Sequence, residues 1–212
     1  MDAFGKTIIA ILLGWLLGLL SPPIVELIQR RYRRSVLRRS LFIELEGLRV
    51  SLAALIYLIA SNDRAVNREL LELTEVILRS DKAFPESRTS ADEISRLLRF
   101  TDEQIANVMV AKKPAGALSL KKISVPFLTS QLSSLYLFSP EFQRLALKIC
   151  SRVAIINEEI EVAAFNYRKT FDRLPQQDHA TVVTNFLQSY QNIQGLCRPL
   201  IDDLNLVLSM KK

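Results

Sequence analysis

Of the side chains that most often ligate transition metals, the 212 residues hold one histidine, His179, and two cysteines, Cys150 and Cys197. A single histidine excludes a two-histidine zinc motif within one chain. It also leaves no Glu-x-x-His pair of the kind that di-iron bundles need, so Glu158, Glu159 and Glu161 read as a solvated helix face. His179 follows Asp178 at an expected helix start, and no Gly-x-Ser-x-Gly elbow accompanies it. The six glycines form neither a Gly-x-Gly-x-x-Gly turn nor a Walker loop. No segment alternates at period two, which argues against sheet. An enzyme has no positive support, and neither a metal nor a cofactor is expected.

Charge is scarce in one place and crowded in the next. Thr7 to Val25 are nineteen residues without a formal charge, and six arginines follow within ten positions: Arg30, Arg31, Arg33, Arg34, Arg38 and Arg39. At about 1.5 Å per residue nineteen helical residues reach roughly 28 Å, close to a hydrocarbon core of about 30 Å. The stretch therefore reads as one membrane crossing. A cleaved signal peptide fits less well, because no small-x-small site follows and the apolar run continues past Leu20. Pro22 and Pro23 remove two backbone donors, so the helix is expected to kink or restart there, with Ser21 as its cap.

The arginines after the span make the following side cytoplasmic by the positive-inside rule, with the N-terminus outside and the chain in the plasma (inner) membrane. They can also hold anionic lipid head groups, each worth on the order of 1 kcal/mol. Within the span Ala10, Gly14 and Gly18 recur every four residues. Such a small-residue groove lets two helices approach, giving a homo-oligomer through the anchor as one expectation.

The chain has 28 Lys+Arg and 22 Asp+Glu; without the six collar arginines 22 stand against 22. The whole formal charge of +6 is the collar, so no nucleic-acid partner is expected. Three regions follow: a transmembrane anchor over 1–28, a basic juxtamembrane collar over 29–40, and a helical-bundle domain over 41–212. The fold class is all-α.

Within the domain, Leu41, Leu45, Leu48, Leu52, Leu55 and Ile59 form a seam at spacings of four and three. Its expected partner is a second helix, Val66 to Arg79, folded back after the turn at Ser61 to Asp63. Ser90 with Glu93 and Thr101 with Gln104 read as capping boxes of two short helices, with a break near Phe100. Pro114 to Val125 reads as a long surface crossover. Pro126 opens a helix through Leu135, and Ser139-Pro140-Glu141 opens a long one carrying Phe142 to Phe171. After Leu174 and Pro175, Asp178 is expected to cap a last helix kinked at Pro199. Both cysteines fall on apolar helix faces and read as core thiols.

These readings favour a non-enzymatic interaction protein that recruits or senses an unidentified protein partner at the cytoplasmic membrane face. The alternative is an oligomerising membrane effector, of toxin or defence type, that perturbs the bilayer.

Overall fold

A computed structural model describes the backbone of residues 3–80, 85–111, 118–172 and 175–210; side chains within these ranges are described from Gly14 onward, with gaps up to Pro23 and at 85, 86, 176 and 177. Among the described residues every regular element is a helix. They are α1 Ala3–Asn62, α2 Arg68–Ser80, α3 Pro85–Leu97, α4 Asp102–Ala111, α5 Pro126–Ser130, a 3₁₀ helix Leu132–Leu137, α6 Pro140–Lys169 and α7 Gln176–Ser209.

The core is built on α1, α2, α6 and α7. On α1, Leu41, Leu45, Leu48, Leu52, Ile56 and Ile59 are buried, the expected seam with Ile56 in place of the half-buried Leu55. Arg49 runs between helices, donating to Ser80 Oγ of α2 at 2.8 Å and to Asn205 Oδ1 of α7 at 3.0 Å. Since α2 begins just past the end of α1, the Arg49–Ser80 bond makes the pair an antiparallel hairpin. Lys148 reaches Asp203, and Asn192 reaches Glu159, so α6 and α7 are antiparallel too. Phe42 stacks on Phe142 at 6.0 Å and Phe142 on Phe138 at 4.6 Å, closing the end of the bundle nearest the collar.

Several helix ends differ from what the sequence implies. The chain stays helical through Pro22 and Pro23, so the expected restart is absent. Proline's fixed φ is compatible with a helix, while the two missing donors and the crowding of the carbonyls four residues back make this the most costly stretch of α1. Helix α3 is described from Pro85, which places Ser90 in its interior, just ahead of the buried Ala91 and Ile94. The expected Phe127–Leu135 helix divides at Gln131, whose N–H is shared between the carbonyls of Phe127 and Leu128. Helix α7 starts at Gln176 with Pro175 at the cap position, so Asp178 is a first-turn acid favoured by the helix dipole instead of the cap. It continues unbroken across Pro199.

Other ends match. Thr101 and Gln104 exchange hydrogen bonds as a capping box, and Ser139 Oγ accepts from the Phe142 N–H at 3.3 Å. Between α1 and α2 the Ala65 N–H reaches the Ala60 carbonyl at 2.9 Å around Arg64, whose φ is 57°. That is a Schellman closure with arginine where glycine is usual. Asn67, not the Ser61 to Asp63 cluster, then caps α2 through the Leu70 N–H at 2.9 Å.

Candidate functional site

Helix α1 has two parts with different surroundings. From Leu41 its inner face is buried, whereas every residue from Ile24 to Val36 is exposed. The first part is a rod projecting from the bundle, and the collar lies along it. Arg30, Arg34 and Arg38 step by four, and Leu41, Leu45 and Leu48 continue the same helix face, so these arginines point beneath the bundle.

Arg30 pairs with Glu26 at 2.8 Å, an exposed pair of small energetic value. Arg31, Arg33, Arg34 and Arg39 are exposed. Arg38 is tied into the domain: it donates to the Met210 carbonyl at the end of α7 and lies 5.6 Å above the Phe42 ring. The collar therefore joins solvent-facing charges to one that fastens the rod to the bundle.

Gly14 and Gly18 are exposed, and a Cβ added at either would meet nothing within 4 Å. Ala10 lies on helical backbone, but its side chain falls outside the described residues. So do the side chains of Thr7 to Leu13 and most of those up to Pro23, which carried the expectation of a crossing. Among the described residues, no helix is long and apolar enough to cross a membrane.

The described part of the expected crossover, 118–125, is pinned to the bundle at several points. Asn157 clasps Ile123 twice, accepting its N–H and donating to its carbonyl, both at 2.8 Å. Tyr190 donates to the Leu118 carbonyl at 2.7 Å, and Lys122 pairs with Glu161. Glu44 of α1 accepts from the N–H groups of Phe127 and Leu128, capping α5 from 83 residues away. Pro114 and Gly116 lie outside the described residues.

Chemistry-bearing side chains are dispersed. His179 is exposed, its Nε2 3.2 Å from the Thr170 carbonyl. Glu158 and Glu161 are exposed on α6, and no cluster of three or more His, Cys, Asp or Glu among the described residues is placed to hold a metal. Cys150 and Cys197 are free thiols. Burial raises both, Cys197 to about 12. Asp203 is buried against Lys148 and Arg152, each 2.8 Å away. The Arg152 contact is off hydrogen-bond geometry, so charge alone holds it.

Glu44 and Asn157 carry no signal in the sequence, and Tyr190 is marked there only as part of the inner stripe of the last helix, where it is buried. Each sits on a helix and serves a backbone distant in sequence, and no local pattern marks such a role. Neither a protein-family model, nor a curated protein, nor a solved structure matches the chain.

Proposed function

We propose that the chain is a single-pass membrane-anchored interaction protein. Residues 1–28 insert, the collar meets anionic head groups, and the bundle is presented to a protein partner on the cytoplasmic side. One observation carries the reading: the helix that holds the bundle's main seam is also the rod that leaves it, α1, without interruption from Ala3 to Asn62. A partner met at the bundle is thus held at a fixed distance and orientation from the anchor.

The rod's exposure supports this. Trp15, Ile24, Leu27 and Ile28 are between 53% and 65% exposed, and such surface is unfavourable in water. Lipid would cover the outer part of it. The test is alkaline carbonate extraction of membranes from cells making the full chain, followed by proximity labelling from the bundle. Retention in the membrane with a reproducible set of labelled cytoplasmic proteins is expected. Release into the supernatant would contradict the anchor, and labelling indistinguishable from that of an unrelated anchored domain would contradict the interaction role.

A further inference from the structure

Helix α1 carries a second apolar stripe that its own bundle leaves uncovered. Gly14, Val25, Val36, Gly47 and Leu58 are spaced eleven apart, and so are Tyr32, Ile43 and Ala54. Eleven residues make about three turns of α-helix, so the two series run nearly straight down one side of the rod and on along the domain. Val25, Tyr32, Val36, Ile43 and Leu58 are 48%, 72%, 49%, 61% and 46% exposed. This side lies opposite the buried seam of Leu41, Leu45 and Leu52, and therefore opposite Arg30, Arg34 and Arg38.

We propose that this stripe seats the same stripe of a second copy, so that the chain pairs in parallel along α1 from Gly14 to Leu58. The inference rests on the membrane-anchored reading, and three observations select this occupant. Helix α1 is unbroken, so a crossing that ends near Val25 lifts Tyr32 by about 10 Å, Val36 by about 17 Å and Ile43 by about 27 Å along the axis. Head groups add only about 5–8 Å on each side of the hydrocarbon, so lipid does not reach most of the stripe of an upright rod. A partner must then be a straight apolar helix spanning the same heights, and a second α1, inserted the same way, presents its own stripe at the same register.

Charge placement agrees. Pairing by this side leaves Arg30, Arg34 and Arg38 of each copy facing away from the other, which spares the two collars their mutual repulsion. Arg33 and Arg39 stand at the stripe's two edges, where their long side chains can reach water. Along the domain the stripe borders an open groove of about 580 Å³ whose lining includes Gly47, Ala54 and Leu58 of the stripe, Leu48 and Leu55 beside it, and Ile123. A Cβ added at Gly47 would meet nothing within 4 Å, so another helix can come close there.

Disulfide cross-linking of the full chain in native membranes tests this, in a Cys150→Ser background that keeps only the buried Cys197. Single variants Tyr32→Cys, Val36→Cys and Ile43→Cys report the stripe; Arg30→Cys and Arg34→Cys report the opposite side. Oxidation should give dimers several-fold more abundant from the first three. Equal yields on both sides, no dimers from the stripe, or adducts of a mass other than twice the chain would overturn the pairing. Carbonate extraction of the same samples separates the two readings. Release with the stripe pattern intact removes the anchor and keeps the pairing, whereas retention without the pattern removes the pairing alone.

Discussion

The Glu44 carboxylate accepts the N–H of Phe127 at 2.8 Å with one oxygen and that of Leu128 at 2.7 Å with the other. A residue on the longest helix thereby supplies the cap that the short helix α5 lacks, since Val125 at its cap position offers no side-chain acceptor. Replacing Glu44 with alanine leaves two part-buried donors unmet, so unfolding free energy should fall by about 1–3 kcal/mol. Urea denaturation measures this. A loss too small to detect would mean that water serves these donors equally well.

Arg64 holds a left-handed backbone at φ 57° to close α1, a conformation that costs a residue with a Cβ about 1–2 kcal/mol. Glycine adopts it freely but is more disordered when unfolded, which offsets part of the gain. Arg64→Gly should therefore raise stability by roughly 0.5–1 kcal/mol in the same titration. A destabilised variant would contradict the strained closure.

The order of helices was legible because most of the buried set recurs at spacings of three and four, from Leu41 on α1 to Leu204 on α7. Ser139-Pro140 and Thr101 with Gln104 showed their caps because those hydrogen bonds join residues three apart. The partners of Glu44 and Asn157 were not legible, since these bonds span 83 or 84 and 34 residues. Ser90 and Asp178 misled for a related reason. Each is a good cap a few residues after a proline, but Ser90 lies inside α3, and α7 has Pro175 at its cap position with Asp178 in its first turn. The six collar arginines were visible as a cluster, but only tertiary packing distinguishes Arg38, fastened to Met210 and Phe42, from its exposed neighbours.

Burial raises the Cys197 thiol from 9.0 to about 12 and the Tyr190 phenol from 10.0 to about 12. The folded chain keeps both protons at pH values where the unfolded chain releases them. Their contribution to stability is thus complete below about pH 9 and is lost as pH rises toward 12. Urea midpoints should decline between pH 9 and 11, less steeply for Cys197→Ala and for Tyr190→Phe. Slopes identical to the parent's would contradict the burial of these groups.

Asn157→Leu removes both bonds to Ile123 while keeping a similar volume, so the 118–125 strap should loosen before the bundle does. Limited proteolysis is expected to cut the variant in the strap faster than the parent, with helical content by circular dichroism nearly unchanged. Cleavage first within α6 would show that Asn157 supports the helix itself.

Two-sided thiol labelling of whole cells bears most directly on the proposed placement. In the Cys150→Ser background, Asp2→Cys should react with a membrane-impermeant reagent from outside, and Arg88→Cys, exposed on α3, only after permeabilisation. The reverse pattern would invert the orientation. Protection of both sites in intact cells, together with recovery of the full chain in the soluble fraction, would contradict the membrane anchor itself.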